Sequence, residues 1–207
     1  AFYNEFCGGA PASLPALPIR YADFAWWQRD WLSGSPLESQ LAYWKDKVGA
    51  DVPRLELPTD RPRPAVQTFK GAAHSVTFSR QLSDAVNQMS RRENATVFMT
   101  MMAALKALLS RYTGQQDIVL GSPIANRNHA ATEDLIGFFV NTLVLRTDVS
   151  GDPSFRELVW RAKTSALGAY DHQDLPFEKL VEELQPDRDL GQNPLFQVIF
   201  AVQNASR

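Results

Sequence analysis

Residues 136–146 read IGFFVNTLVLR, and this stretch decides the fold because branched and aromatic apolar residues dominate it. Runs of this composition favour a β-strand that is buried on at least one face. We therefore predict a strand over residues 139–147. Residues 117–123 have the same character and predict a second strand. A polar, turn-prone loop at residues 125–134 separates the two strands in the sequence.

Helical patterns surround these two strands along the chain. Apolar residues that recur at helical spacing, together with capping and turn residues, predict six helices. They cover residues 21–32, 36–48, 79–91, about 98–113, 154–170 and 177–184. Ser35 is the predicted cap of the second helix, and Gly114 is the predicted left-handed residue after the fourth. Short strands are predicted at residues 74–78 and 195–202. Alternating helices and strands predict an α/β layered core with mixed strand directions.

A proline-rich interval divides the chain. Four prolines fall between two patterned regions, and proline both removes a backbone donor and disfavours helix in the residue before it. These are Pro53, Pro58, Pro62 and Pro64. We therefore predict an extended connection here. The predicted division places residues 1–70 in the end of one lobe and its connection, and residues 71–207 in a second lobe.

Composition narrows the classes of function. The 207 residues are 44% hydrophobic, and 21 basic and 23 acidic side chains leave a formal charge of -2. Because this charge supplies no field that would gather phosphates or anionic lipid, we expect neither nucleic acid nor a membrane surface as a partner. The apolar runs are far shorter than a bilayer span, and the first residues have no signal-peptide pattern. We expect a cytoplasmic location.

Metal and thiol chemistry have little support in the sequence. Cys7 is the single cysteine, so it has no partner for an internal disulfide. The three histidines, His74, His129 and His172, lack the spacing of four residues that places two zinc ligands on one helical face. We therefore expect no metal site.

Four segments together resemble, in this order, the later signature motifs of the condensation domains of nonribosomal peptide synthetases. They are YADFAWWQ at 21–28, IGFFVNTLVLR at 136–146, HQDLPFE at 172–178 and RDLGQNPL at 188–195. The segment GSPIANR at 121–127 adds to the resemblance, which covers essentially the whole chain. In the last motif Gly191 and Gln192 stand where the family commonly has serine and arginine.

The resemblance implies a fold, a reaction and partners. It implies a chloramphenicol-acetyltransferase-like lobe with a mixed β-sheet flanked by helices, plus a remnant of an amino-terminal lobe. Two such lobes enclose a tunnel in which an acceptor aminoacyl amine attacks a donor thioester. The substrates arrive on phosphopantetheine arms of donor and acceptor peptidyl carrier proteins, and the domain itself binds no cofactor. Further partners are the adjacent synthetase domains and the missing amino-terminal lobe.

One family motif is absent. Condensation domains carry His-His-x-x-x-Asp-Gly, whose second histidine is thought to act as a base or to position the amine, and no such string occurs here. Residues 1–6 resemble the helix that follows that motif. We therefore expect a fragment, with no catalytic residue in this chain and no activity of the chain alone.

Three residues are candidates for lining or supporting the substrate tunnel. An asparagine amid apolar strand residues is costly unless its amide is bonded, so Asn141 either faces the tunnel or ties two backbone segments together. Arg146 places a positive charge in a strand that should be half buried, which favours a structural ion pair over a catalytic role. Asp23 lies beside aromatic residues on a helix, as a hydrogen-bonding anchor or a solvent-facing carboxylate. Asp174 is predicted to cap a helix, with His172 in the loop before it.

Other functions stay open. A non-catalytic condensation-like module would recruit a carrier protein or a partner enzyme, and the sequence upstream of this chain would distinguish the two classes. A stand-alone acetyltransferase of the chloramphenicol-acetyltransferase type fits the length, but it needs the same histidine motif. Variants that cyclise or epimerise are also compatible with the chain, although the strand motif resembles the ordinary condensing type.

Overall fold

The computed structural model describes residues 2–8, 16–49, 51–64, 66, 68–184 and 193–203. Its helices and strands, in chain order, are α1 (Phe2–Gly8), α2 (Tyr21–Trp31), α3 (Gly34–Val48), α4 (Arg80–Arg92), α5 (Val97–Thr113), β1 (Asp117–Ile124), β2 (Asn141–Asp148), α6 (Phe155–Asp171) and α7 (Phe177–Leu184). A single 3-10 turn, Ala130–Thr132, lies in the loop between the strands. No described helix is both long and apolar enough to cross a bilayer.

The described sheet consists of two antiparallel strands, and a single parallel bridge beside it is all that the structure shows of the predicted mixed strand directions. Strands β1 and β2 are antiparallel along their whole length, so that the first residue of each faces the last residue of the other. On the other side of β1, the predicted last strand makes one parallel bridge from Ile199 to Gly121. The Gly121 amide donates to Val198 O at 2.9 Å, and Phe200 N donates to Gly121 O at 2.8 Å. Among the described residues this segment is therefore an extended strap rather than a full strand.

The main core lies between the sheet and two helices. Helix α5 turns Met102 and Ala103 toward the strands, and α6 does the same with alanines at positions 162, 166 and 169, which are almost completely buried. Because the side chains on that face are small, α6 lies close to the strands. Trp44, Val48 and Leu55 belong to the same core, so α3 and the start of the proline-rich connection pack with the elements that follow residue 71.

Helix α2 packs through a separate apolar cluster. Phe24 of α2 is buried with Leu135 and Phe139 from the loop between the strands, and Ile19 and Trp27 pack at the margin. The Phe24 and Phe139 rings lie 4.8 Å apart between centroids. The cluster therefore holds α2 against the 125–140 loop.

The bounds of the six predicted helices are correct to within two residues, and the largest difference is at the start of α3, where the predicted cap Ser35 is wrong. The helix begins at Gly34, directly after Ser33, so Ser35 lies inside it. Gly114 ends α5 with φ of 73°, as predicted, and the Ser154 hydroxyl accepts from Glu157 N at the start of α6. Pro186, which in the sequence follows the predicted helix 177–184 and would stop it from continuing, lies outside the described residues.

The predicted strand at residues 74–78 is wrong for the described structure. The segment is exposed and has no regular secondary structure, and no described strand pairs with it. Alternating polar and apolar residues favour an extended backbone, but a strand forms only when another backbone takes up its hydrogen bonds.

The proline-rich connection is bound to the core at its start and is exposed afterwards. Glu56 N donates to Gln115 Oε1 at 2.8 Å, and Gln115 Nε2 donates to Arg54 O at 2.7 Å. Beyond these contacts the described residues between 56 and 80 are exposed. The predicted division of the chain at residue 70 stays a prediction.

Candidate functional site

The signature segments predicted from the sequence meet at one place in the fold. The Tyr21 hydroxyl donates to Phe138 O at 2.8 Å, which joins the first segment to the second. Gly137 makes that approach possible, because a Cβ atom there would overlap the Tyr21 ring. The Phe177 and Phe196 rings, 5.5 Å apart, join the third segment to the residue that follows the fourth. Residues 188–192 of the fourth segment lie outside the described residues.

Asn141 joins the second segment to the third. Its Nδ2 donates to Gln173 O at 2.9 Å and to Leu175 O at 2.8 Å. Its Oδ1 accepts from Thr142 N at 2.8 Å and from Phe177 N at 2.9 Å. All four hydrogen-bonding positions of the amide are therefore filled by backbone, and the residue is 7% exposed. These are the contacts of a tie between two backbone segments.

The same contacts correct the predicted cap of α7. Phe177 is the first residue of α7, and the side chain that accepts its N–H is Asn141 rather than Asp174. His172 lies before this point, where its ring stacks on Tyr43 with centroids 3.8 Å apart. Its carbonyl oxygen accepts from Trp44 Nε1 at 2.8 Å. His172 therefore packs against α3.

Asp23 and Arg146 do not meet Asn141. Asp23 is exposed on α2, where Oδ2 accepts from Arg20 N at 2.8 Å at the helix start. Arg146 lies five residues along β2 from Asn141, about 17 Å away at the usual strand rise. Its guanidinium binds Asp117 across the sheet, with Nη2 2.6 Å from Oδ2, and it also donates to Val48 O. The three predicted candidates are therefore at three different places.

A small recess opens beside the joined segments, between α2 and the loop after β1. We call it the aromatic recess. Its polar and aromatic lining residues are Phe24, Trp27, Gln28, Trp31, Asn126, Asn128, His129 and Asp174. The His129 ring meets the Trp27 ring edge-on, with 4.8 Å between centroids. Burial raises the pKa of the Asp174 carboxyl, and the charge on His129 partly offsets that rise.

Arg127 fixes the loop that forms one wall of the aromatic recess. Its guanidinium donates to Thr132 O, to Glu133 O at 3.4 Å and to Leu135 O at 3.0 Å. It also lies 4.2 Å from the centroid of the Phe139 ring, within the range of a cation–π interaction. One side chain thus satisfies three loop carbonyls and stacks on the apolar cluster that holds α2.

The sequence did not reveal the roles of Arg127, His129 or Lys106. Arg127 belongs to the segment GSPIANR, and a charged residue three positions after a buried strand was the signal that could have identified it. Lys106 falls on the same helical face as Met102 and Leu109, so its spacing was the signal for burial. His129 offered no such pattern, because its partners come from α2.

In the described part of the chain, no group of three or more His, Cys, Asp or Glu side chains is arranged to hold a metal ion. The aromatic recess offers amide, imidazole and carboxyl groups beside stacked rings. Its loop walls are already fixed by Arg127 and Asn141, so these groups are preorganised.

Comparisons with known proteins place these features in a family. The family model described as "Condensation domain" matches residues 1–207. A linear gramicidin synthase polypeptide from Brevibacillus parabrevis is 56% identical over 202 residues, which are 98% of this chain and 3% of that synthase.

Solved structures agree with that match. The X-domain from teicoplanin biosynthesis superposes with a TM-score of 0.87 at 28% identity, covering 95% of this chain and 45% of that one. The X-domain in complex with OxyB gives 0.86 at 30% identity, covering 94% and 44%. The chain spans a small part of the synthase and less than half of each solved chain.

Proposed function

Because this chain belongs to the condensation-domain family of nonribosomal peptide synthetases, we propose that it forms the carboxy-terminal part of a domain that makes amide bonds. The donor is an acyl or peptidyl thioester, and the acceptor is an aminoacyl thioester. Each is carried by the phosphopantetheine arm of a peptidyl carrier protein, and the domain itself binds no cofactor. Carrier proteins, adjacent synthetase domains and an amino-terminal lobe are the proposed partners, in the cytoplasm.

Amide formation makes three physical demands on such a domain. The attacking amine must be neutral, the oxyanion of the tetrahedral intermediate needs hydrogen-bond donors, and the two tethered substrates must be held in reach of each other. In the family, the second histidine of His-His-x-x-x-Asp-Gly is assigned to the amine. That motif does not occur in residues 1–207, so we propose that this chain alone is inactive.

The contribution we assign to this chain is a rigid wall for the tunnel. Asn141 and Arg127 support this assignment, because each holds several backbone groups of a signature segment in place. We propose that Asn141 acts through this support rather than by touching substrate. Arg146 and Asp23 are proposed to act at a greater distance, the first by joining β2 to β1 and α3, the second by fixing the start of α2.

The observation that carries the proposal is the family match over the whole chain, together with 56% identity to a peptide synthase. Its test uses one donor carrier and one acceptor carrier, each charged with an amino acid. Mass spectrometry of the acceptor carrier should detect a dipeptidyl thioester with a complete domain that contains these residues, and only background with the 207-residue chain. Turnover by the chain alone would refute its proposed inactivity. A folded complete domain that retains its histidine motif and gives no product would refute the reaction.

A second function is favoured by one observation. The teicoplanin X-domain that is described in complex with OxyB superposes on 94% of this chain with a TM-score of 0.86. A non-catalytic condensation-like module would bind a partner enzyme or a carrier protein. The upstream sequence distinguishes the two functions, because a complete histidine motif favours the enzyme and a disrupted one favours recruitment. For a disrupted motif, size-exclusion chromatography with the neighbouring carrier protein should give a stable complex and no dipeptide.

A further inference from the structure

A lysine is buried in the middle of the core. Lys106 lies on α5 and faces β2, and none of its surface is exposed to solvent. Its Nζ donates to Leu145 O at 2.8 Å and to the Thr147 hydroxyl oxygen at 2.5 Å. The side chain therefore spans the contact between α5 and the carboxy-terminal half of β2.

The two acceptors match the neutral amine better than the ammonium ion. A neutral lysine amine has two N–H donors, and both have partners here. The ammonium ion has three donors, and the described residues offer the third no acceptor. A charge held in an apolar interior is costly unless an opposite charge binds it directly.

The one carboxylate that acts electrostatically on Lys106 already binds another cation. Asp117 of β1 attracts Lys106, but its carboxylate binds Arg146 of β2, with Nη2 2.6 Å from Oδ2. Helices α4 and α6 also pack on α5, and in the described part of the chain neither gives Lys106 a hydrogen bond or an ion pair with a charged side chain. The environment of Lys106 is therefore mainly apolar, with one shared carboxylate at a distance.

We propose that Lys106 is a proton-sensitive tie between α5 and β2, in which the neutral amine holds the strand and protonation weakens the core. Burial, opposed by Asp117, lowers the pKa of Lys106 from 10.5 to about 7. In the unfolded chain the same amine keeps its ordinary pKa. The proton balance of this one side chain therefore links folding to pH between about 7 and 10.5.

The direction of the effect follows from that balance. Between about pH 7 and 10.5 the unfolded chain holds a proton on Lys106 and the folded chain does not. Raising the pH in this window therefore favours the folded state, and the unfolding equilibrium constant should fall by up to about tenfold per pH unit. Below about pH 7 both states carry the proton, and the contribution of Lys106 to the pH dependence disappears.

The first test compares the full chain with its Lys106→Met and Lys70→Met variants by urea unfolding between about pH 7.5 and 9.5. Methionine keeps an unbranched side chain, one heavy atom shorter than that of lysine, and removes the titrating group. In the Lys106→Met variant the unfolding equilibrium constant should depend on pH less steeply than in wild type, by up to about tenfold per pH unit. This difference corresponds to about one fewer proton taken up on unfolding. In the Lys70→Met variant, where the replaced lysine is exposed, the unfolding equilibrium constant should change with pH as it does in wild type. A Lys106→Met variant that keeps the wild-type slope would overturn the proposal.

The second test does not require the variant to fold. NMR of the wild-type chain with labelled lysine follows the Cε chemical shift of Lys106 as the pH is raised. A titration midpoint near 7 supports the proposal. A midpoint above about 10, together with the exposed lysines, overturns it.

Discussion

Replacing Asn141 with alanine should cost stability far more than it costs the rate of the folded enzyme. The substitution removes four hydrogen bonds and leaves Gln173 O, Leu175 O and Phe177 N without their partner in a site that is 7% exposed. An unsatisfied buried group costs about 1–3 kcal/mol, and local relaxation recovers part of this, so we expect a loss of about 3 kcal/mol in the free energy of unfolding. For a chain of this size that corresponds to a decrease in Tm of roughly 6–12 °C.

Asn141→Asp is the matched variant for this prediction. A carboxylate keeps the acceptors for Thr142 N and Phe177 N, but it places oxygen against the carbonyl oxygens of Gln173 and Leu175. At neutral pH we expect this variant to lose at least as much free energy of unfolding as the alanine variant does. Part of that stability should return when acid protonates the carboxyl group.

Thermal melts and urea titrations measure the stability, and turnover is measured on the same preparation of a complete domain. A support role predicts that turnover per folded molecule stays within about twofold of wild type. A variant that melts normally and turns over roughly tenfold more slowly would refute the reasoning and place the amide on the substrate.

Three further predictions concern other parts of the fold. Gly137→Ala should lower the Tm of the full chain, because the added methyl group would overlap the Tyr21 ring and force α2 away from its cluster; Gly71→Ala, where nothing lies within 4 Å, should leave the Tm within about 1 °C. Arg127→Lys keeps the charge but loses the planar donor set that reaches three carbonyls, so hydrogen exchange in residues 130–135 should become faster while α6 exchanges as before. Limited proteolysis should cut first between residues 57 and 70, and a first cut inside residues 97–171 would contradict the packing described for the core.

Local features were predictable from the sequence, and pairing partners were not. Ser154 and Gly114 mark helix ends because their side chain or backbone acts on the nearest turn, within four residues. The residue that accepts the first N–H of α7 is Asn141, which is 36 positions away in the chain. No local pattern reports such a distance, and the sequence therefore suggested Asp174, the nearer polar residue.

The candidate site was predicted as a set of segments rather than as a geometry. The resemblance identified the segments that meet around Tyr21, Gly137 and Asn141. It could not decide whether the Asn141 side chain joins two backbone segments or faces the tunnel. The carbonyl groups that Arg127 binds carry no sequence signal, so only its position shortly after a buried strand could have indicated its role. Lysines usually lie at the surface, and only the spacing of Lys106 from Met102 and Leu109 could have indicated that it is buried.

The most direct test of the account is a chimera with a similar synthase. Residues 1–207 would replace the matching residues of the linear gramicidin synthase polypeptide, in a parent domain that is first shown to form the dipeptide and to carry a complete His-His-x-x-x-Asp-Gly motif upstream of the exchanged residues. With charged donor and acceptor carriers, the account predicts a dipeptidyl thioester on the acceptor carrier, and background when the second motif histidine is changed to alanine. A chimera that folds, with a cooperative melt like that of the parent domain, and yields no dipeptide would contradict the claim that this chain is a working carboxy-terminal part of a condensation domain.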